Sequence, residues 1–223
     1  YGEGLPEERQ MATGAFAGPR NDLHWDLSSD SSDFYDAKGA VESVLSNLGI
    51  SPVFEPGEDS TFAIGRTAIV KVPAANHAVI GVVGEISTEV LSQFDAEVDR
   101  VALFEIDLQA VLKIISESMQ SGDNGKFEEF VRLPASHRDL SLVVETQSTA
   151  GEIVEIAQRN RIVASATVFD LFEGKGVPAG KKAVAVRLVY QSPNKTLTTE
   201  QIGKIEQQIL NQLKKELGAE LRA

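Results

Sequence analysis

Residues 138–145 read Arg138-Asp-Leu-Ser-Leu-Val-Val-Glu145, a run in which hydrophobic side chains occupy alternate positions. A period of two is typical of a β-strand that buries one face and exposes the other. The side chains that we expect to face a core are Leu140, Leu142 and Val144, and those that we expect to face away are Asp139, Ser141 and Val143. This run is therefore the first strand of a sheet.

Two further strands with the same period follow. Alternation in residues 166–173 predicts buried Thr167, Phe169 and Leu171 and outward Val168, Asp170 and Phe172. Alternation in residues 183–190 predicts inward Val184, Val186, Leu188 and Tyr190 and outward Ala183, Ala185, Arg187 and Val189. The connection 174–182 contains turn-forming glycines and three lysines. The two strands therefore form a hairpin, with Phe172 as an aromatic side chain on its solvent face.

Two helices are predicted from capping boxes, in which two side chains three residues apart cap the first turn reciprocally. Thr149 with Glu152 begins the first helix, and Thr198 with Gln201 begins the second. The apolar stripes that follow are Ile153, Ile156 and Ala157 in the first helix, and Ile202, Ile205, Ile209, Leu213 and Leu217 in the second. Gly218 ends the second helix, and residues 219–222 remain for a short fourth strand.

The order strand, helix, strand, strand, helix, strand predicts a ferredoxin-like α+β domain. Both helices then cover one face of an antiparallel sheet and leave the other face open. On that open face we expect Phe172 as a platform, Asp170 as an acceptor and Arg187 as a cation, beside small residues such as Ala183. Such a face suits an unstacked RNA base. The alternative is that Phe172 packs under a loop or against another domain.

Separated motifs in this region and upstream of it carry a family resemblance. The motifs are Arg132-Leu-Pro-Ala-Ser-His-Arg-Asp-Leu-Ser-Leu-Val-Val144, Val168-Phe-Asp-Leu-Phe-Glu-Gly-Lys-Gly-Val-Pro-Ala-Gly-Lys-Lys182, Lys195-Thr-Leu-Thr-Thr-Glu200 and Leu217-Gly-Ala-Glu-Leu-Arg222, and upstream Asp33-Phe-Tyr-Asp-Ala-Lys-Gly-Ala-Val-Glu42, Gly81-Val-Val-Gly-Glu85 and Leu103-Phe-Glu-Ile-Asp107. The first four resemble the carboxy-terminal anticodon-binding domain of the bacterial phenylalanyl-tRNA synthetase beta chain. The last three resemble the class II synthetase-like module of the same subunit. The resemblance covers nearly the whole chain.

The resemblance implies that Phe172 stacks on an anticodon base and that Asp170 accepts a hydrogen bond from that base. Strand alternation and loop charge add basic contacts to the RNA backbone. The candidate RNA-binding residues are Phe172, Asp170, Arg187, Ala183, Lys181, Lys182, Lys195 and Arg138. The sequence departs from the family pattern at Phe172, where a tyrosine is common, at Ala183, where a serine is common, and at His137, where an arginine is frequent. Ala63 and Ile64 also replace a His-Pro pair of the family.

The chain should form two domains, residues 1–125 and residues 126–223, joined by the polar linker Ser121-Gly-Asp-Asn-Gly125. Residues 1–125 contain 7 Lys and Arg against 21 Asp and Glu, a net charge of −14. Residues 126–223 contain 14 against 12, a net of +2, and the two sum to the chain's −12. This difference in net charge favours RNA binding by the second half. The affinity should be modest and sensitive to salt.

The first half reads as an antiparallel sheet with helices packed on it. Apolar runs at 67–72, 79–83 and 101–106 predict central strands, and residues 108–118 form a helix-like run. A further helix should begin at Asp33 or Asp36 and end at Gly49, with one face made of Val41, Val44, Leu45 and Leu48. Ser87 should cap a short helix between the last two strands. The resemblance implies that this half is part of a class II synthetase-like fold.

No catalytic or metal-ligating residue is predicted. The three histidines, His24, His77 and His137, are far apart and have no second ligand at metal spacing. The Gly-rich, Arg-ending stretch by which class II synthetases hold ATP is absent from the sequence, so we expect no cofactor in this fragment. In the family the whole α2β2 enzyme charges tRNA(Phe) with phenylalanine using ATP and Mg²⁺, and this module is a scaffold for the catalytic alpha subunit.

The chain has no cysteine, no apolar run of membrane-spanning length and no visible signal peptide, so we expect a cytoplasmic protein. It begins at Tyr1 without an initiator Met, which suggests a fragment of a longer polypeptide. A regulatory domain of the same βαββαβ topology that binds amino acids is the main alternative to anticodon binding. A metal carrier would need a Cys-x-x-Cys loop, which the sequence lacks.

Overall fold

The computed structural model describes residues 8–94, 96–121, 131 and 133–222. It divides the chain into two compact units, Tyr1–Lys126 and Phe127–Ala223. The predicted boundary after residue 125 and the predicted linker beyond Ser121 lie outside the described residues. The two units are described separately below.

The described part of the first unit contains a five-stranded antiparallel sheet and three α-helices. The strands are β1 (Met11–Ala17), β2 (Val53–Pro56), β3 (Phe62–Val72), β4 (Ala78–Ile86) and β5 (Val101–Asp107), and the helices are α1 (Phe34–Asn47), α2 (Thr88–Gln93) and α3 (Leu108–Ser121). The strand order is β1-β5-β4-β3-β2, so the three predicted strands are indeed the central ones. The two edge strands, β1 and β2, were not predicted, because edge strands need no continuous apolar run.

Helix α1 confirms the predicted start and corrects the predicted face. Asp33 is the N-cap, and the Asp36 side chain completes the capping box. The buried positions are Ala37, Val41 and Leu45. Val44 and Leu48, which we expected on the same face, are 59% and 47% exposed. The buried positions are four residues apart, so the buried stripe winds around the helix and leaves Val44 at its edge. Leu48 is exposed because it lies past the last helical residue.

The second unit confirms the predicted order of elements. It contains β6 (Ser136–Glu145), α4 (Ala150–Gln158), β7 (Val163–Phe172), β8 (Lys181–Tyr190), α5 (Thr199–Leu217) and β9 (Glu220–Leu221). The strands form an antiparallel sheet in the order β7-β8-β6-β9. Thr149 and Thr198 cap the two helices through the predicted capping boxes, and Gly218 ends α5 in a left-handed conformation. This is the predicted ferredoxin-like α+β fold.

One hydrophobic core joins the helices to one face of this sheet. It contains the predicted inward residues Leu140, Leu142, Val144, Val184, Val186, Leu188 and Tyr190, together with Ile153, Ile156, Ala157, Ile202, Ile209 and Leu213 from the helices. The alternate residues of β6 and β8 therefore form the opposite, open face.

Strand β7 departs from its predicted alternation. Its pairing with β8 shifts register between Val168 and Asp170, so one extra residue, Phe169, is inserted at a β-bulge. Val168, expected outward, packs against the core instead. Phe169 and Leu171, expected inside, are 54% and 52% exposed, and Thr167 is exposed as well. Before the bulge, the alternation of core-facing and outward side chains is opposite to the predicted one. After the bulge the predicted alternation holds, so Leu171 is on the core side of the strand, but it lies beyond the part that the core covers.

Candidate nucleic-acid interface

The open face of the second unit is defined by the register of its strands. Asp170 lies opposite Ala185, and Phe172 lies opposite Ala183, both on the face away from the core. The outward prediction for Asp170 and Phe172 therefore agrees with the register. Both cross-strand partners are alanines, whose methyl side chains project little from the sheet.

Phe172 ends β7 with a partly exposed ring. Its side chain is 43% exposed, while its cross-strand neighbour Ala183 is 4% exposed. The guanidinium carbon of Arg222 lies 5.7 Å from the centroid of the ring. A Cβ built on Gly174 would lie 3.5 Å from the ring, and one built on Gly176 would lie 3.7 Å from the Arg222 guanidinium. The hairpin loop therefore passes close to the ring and to Arg222, and both glycines have a positive φ that disfavours other residues.

Asp170 is an exposed carboxylate directly after the bulge. Within the described residues it makes no hydrogen bond and no ion pair, in contrast to Asp139 on the same face. A carboxylate offers only acceptors when it is ionised. In the part of the chain that the structure describes, Asp170 is therefore available to accept hydrogen bonds from a ligand on the open face.

Arg187 is already engaged by two side chains. Its Nε and Nη2 atoms donate to the two carboxylate oxygens of Asp139 on β6, each at 2.7 Å. Its guanidinium carbon also lies 5.3 Å from the ring centroid of Phe169. The hydrogen bonds from Arg187 hold the pKa of the Asp139 carboxyl below its usual value, and the same contact raises the pKa of Arg187. A phosphate that reaches Arg187 must therefore share it with Asp139.

The structure does not bring the predicted basic residues together. Lys181 lies on the open face by register and forms an ion pair with Glu145 at 3.4 Å. Lys182 lies opposite the buried Val144, so alternation directs it toward the helix side of the sheet. Arg138 lies opposite the core residue Leu188 and is also on the helix side.

Lys195 is separated from the lysines of the hairpin by the whole length of β8. It follows the end of this strand at Tyr190, whereas Lys181 begins the strand. Nine residue steps in a strand span about 30 Å. A ligand the size of one nucleotide cannot contact both ends, so Lys195 can serve only an RNA that extends along the sheet.

Sequence reasoning missed two residues of this face, Phe169 and Arg222, and the ion-pair partner of a third, Asp139. Phe169 was assigned to the core because the strand contains no glycine or proline that would indicate a bulge. Asp139 was placed outward, but its partner was not foreseen because cross-strand pairing depends on register. Arg222 appeared only as the end of a quoted motif, although it follows a short strand whose partner is β6. Only the pairing of β9 could have located it near the hairpin loop.

The described part of the chain holds no cluster of three or more His, Cys, Asp or Glu side chains placed to bind a metal. In the first unit Asp107 accepts a hydrogen bond from the backbone N–H of Ala110 at 3.0 Å. It therefore caps the start of α3. Among the described helices, none combines the length and the apolar character that a membrane crossing requires.

Comparison with known families explains the geometry of both units. Residues 131–222 match the ferredoxin-fold anticodon binding domain, and residues 1–108 match the phenylalanyl tRNA synthetase beta chain CLM domain. The chain belongs to the phenylalanyl-tRNA synthetase beta chain family. It comprises the carboxy-terminal region of that chain, with its anticodon-binding domain. The match decides between the two functions that the βαββαβ topology left open.

Curated relatives support the assignment along nearly the whole chain. A phenylalanine–tRNA ligase beta subunit of Halalkalibacterium halodurans is 35% identical over 221 residues, which is 97% of this chain. The beta subunits of Dehalococcoides mccartyi strain CBDB1 and Syntrophotalea carbinolica are 33% and 32% identical over 97% and 98% of this chain. The chain spans 26% of the length of each of these relatives. It is thus part of a phenylalanine–tRNA ligase beta subunit.

Proposed function

We propose that the open face of the second unit binds the anticodon of tRNA(Phe), with Phe172 as the stacking platform. The observation that carries this proposal is the partly exposed Phe172 ring on the same sheet face as the Asp170 carboxylate, which has no hydrogen bond or ion pair within the described residues. An unstacked RNA base needs an aromatic surface and a hydrogen-bonding group at its edge. Phe172 and Asp170 lie two residues apart on one strand and supply both.

Phe169 extends this platform toward the middle of the strand. Its ring is 54% exposed and is held by the Arg187 guanidinium. Single-stranded nucleic acid is bound by successive aromatic side chains, each of which stacks on one base. Phe169 is therefore proposed as a second platform, for a base next to the one on Phe172.

The cations near the open face contribute an affinity that depends on salt. Lys181 and Arg187 hold the RNA backbone in this proposal, and Arg222 is added to them because it lies against Phe172. Lys182 and Arg138 lie on the helix side of the sheet, so they have no contact with the RNA in this proposal, and Lys195 contacts only an RNA that extends along the sheet. Since Lys181 and Arg187 already have carboxylate partners, their net attraction for phosphate is reduced. The isolated chain should bind tRNA modestly and lose affinity as salt rises.

The first unit is proposed to be a noncatalytic scaffold for the catalytic alpha subunit in an α2β2 enzyme. Its net charge of −14 over residues 1–125 makes RNA an unfavourable ligand for this half. In this proposal ATP and Mg²⁺ are bound elsewhere in the enzyme, which charges tRNA(Phe) with phenylalanine in the cytoplasm. The beta-subunit identity of the relatives supports an alpha partner.

Two measurements test this proposal. Binding of tRNA(Phe) and of anticodon-substituted tRNA(Phe) by the 223-residue chain should differ, and both should weaken as salt rises. Equal affinity for all anticodons would contradict the assignment of the open face. Amino-acid-dependent pyrophosphate exchange by the same chain should stay at the level of the buffer blank, and activity above that level would contradict the scaffold role.

A further inference from the structure

The loop that joins β1 to α1 presents three large apolar side chains to solvent. Leu23 is fully exposed, and Trp25 and Leu27 are 90% and 53% exposed. Single exposed leucines are common on protein surfaces, but three bulky apolar side chains exposed within five consecutive positions are not. Tryptophan is also among the residues that contribute most to binding between proteins. We refer to Leu23, Trp25 and Leu27 together as the Trp25 surface.

The loop is fastened where it leaves the sheet. The backbone N–H of Arg20 donates to the carbonyl oxygen of Asp30, and that of Ser32 donates to Gly18, each at 2.8 Å. The Arg20 guanidinium donates to both carboxylate oxygens of Asp36 at 2.8 and 2.9 Å. These contacts fix the base of the loop to the first turn of α1. A surface that is already ordered loses less conformational entropy when it binds a partner.

Contacts within the loop also orient Trp25. Its indole stacks on the His24 ring, with centroids 5.7 Å apart and planes 27° apart. The Nδ1 atom of His24 accepts a hydrogen bond from the backbone N–H of Asp26 at 3.1 Å. His24 is thereby held between the backbone and the indole. The remaining surface of the indole faces solvent.

The charges around the Trp25 surface restrict what can cover it. Asp22, Asp26 and Asp30 lie in the loop, and its one cation, Arg20, is bound by Asp36. Phosphate groups of RNA would be repelled by these carboxylates. A second copy of this chain would bring an equally acidic surface to the contact, which costs free energy. The favoured partner is a protein with an apolar pocket bordered by lysine or arginine.

We propose that the Trp25 surface docks into an apolar pocket with a basic rim on the catalytic alpha subunit. This inference rests on the proposed scaffold function and names the contact through which that function operates. Trp25 fills the pocket, and the leucines on either side seal its edge. The three aspartates lie against the basic rim, so the contact should weaken as salt rises.

The chain offers a local probe for this contact, because Trp25 is its single tryptophan. We would incorporate 5-fluorotryptophan into the chain and record its ¹⁹F resonance while unlabelled alpha subunit of the same organism is added. The resonance should shift or broaden in proportion to complex formation. The substitution Trp25→Ala should weaken binding of the alpha subunit by about tenfold or more, as expected for a buried tryptophan at an interface.

Matched variants separate this contact from general surface effects. Ile64→Ala and Phe94→Ala remove apolar side chains of the same unit that are 99% and 76% exposed, and they should leave the affinity unchanged. The pair Asp22→Asn and Asp26→Asn should flatten the salt dependence without unfolding the chain. Affinity for tRNA should be the same in all of these variants.

Each outcome supports or overturns the inference. If the wild-type chain binds no alpha subunit at low salt, both the scaffold function and the docking contact are wrong. If the wild-type chain binds but Trp25→Ala binds equally well, or the ¹⁹F resonance does not move, only the docking contact is wrong. If the chain alone dimerises and Trp25→Ala makes it monomeric, the surface belongs to a second copy and the inference is also overturned.

Discussion

The Arg222 guanidinium lies 5.7 Å from the centroid of the Phe172 ring, although the two residues stand 50 positions apart in the sequence. The contact connects the end of β7 with the residue after β9, across the hairpin loop that contains Gly174 and Gly176. It places a cation beside the ring at one end of the open face. A cation against an aromatic face is an attractive contact. The contact therefore adds a cation to the platform that we propose for an anticodon base.

The first prediction concerns Phe172 itself. Phe172→Ala should weaken tRNA(Phe) binding by about 1 to 3 kcal/mol, since that is the usual contribution of one stacked base. Leu171→Ala is the matched control, because Leu171 is the adjacent residue, is 52% exposed and alternates to the other face of the strand. Titration of the chain with tRNA at low salt gives both affinities. Equal losses in the two variants would mean that the ring does not stack on RNA.

The second prediction concerns the choice of base. Asp170→Ala should change affinity for the correct anticodon less than it changes discrimination among anticodons, because the carboxylate accepts a hydrogen bond at the edge of one base. Competition among anticodon stem-loops that differ at a single position measures this discrimination. A uniform loss of affinity for every stem-loop would instead assign Asp170 to folding or to general electrostatics.

The third prediction separates the two members of the Arg187–Asp139 pair. Arg187→Ala should weaken binding to all RNAs about equally and reduce the slope of the salt dependence by about one, as a lost phosphate contact does. Asp139→Asn should have the opposite effect, since it releases the guanidinium that Asp139 holds at 2.7 Å. Affinity measured across a range of salt concentrations distinguishes them. A loss of affinity in Asp139→Asn would show that the pair positions Arg187 and does not compete for it.

The strands and helices of the second unit could be predicted from the sequence more completely than the contacts on its open face. The capping boxes at Thr149 and Thr198 and the alternation in β6 and β8 located every element, because these signals are local. Local signals could not predict which side chains of β7 face the core, because the bulge at Phe169 depends on pairing with β8. The partner of Arg187 depends on the register between strands, and the partner of Phe172 depends on the path of β9. Neither can be predicted from a local sequence pattern.

The fourth prediction follows from the pKa of Asp36. Hydrogen bonds from the Arg20 guanidinium hold this pKa below the usual value. The stabilisation is therefore fully present above the pKa of the unfolded chain, about 4, and is lost as pH falls through the lower folded-state pKa. The free energy of unfolding of Asp36→Asn should be lower than that of the wild type at neutral pH, and the difference should shrink in acid.

The control for this variant is Asp26→Asn, which changes an exposed loop aspartate with no ion pair among the described residues. It should leave the free energy of unfolding of the first unit unchanged at neutral pH. A difference between wild type and Asp36→Asn that stays constant in acid would contradict the role of the Arg20 contact.

The fifth prediction concerns the core of the second unit. Tyr190 is fully buried, and its hydroxyl has no hydrogen-bond partner among the described residues. Burial raises the pKa of Tyr190 to about 12. An unsatisfied buried hydroxyl is destabilising, so Tyr190→Phe should raise the free energy of unfolding by about 1 kcal/mol or leave it unchanged. Chemical denaturation measures this, and a clear loss of stability would mean that the hydroxyl has a partner.

The central claim, that an anticodon base lies on the open face, is tested most directly by photo-cross-linking. A tRNA(Phe) with one photoreactive base in its anticodon would be irradiated in complex with the chain at low salt, and the modified peptide would be identified by mass spectrometry. The account predicts modification on the open face, at or next to Asp170 or Phe172. Modification confined to α4, to α5 or to the first unit would contradict it.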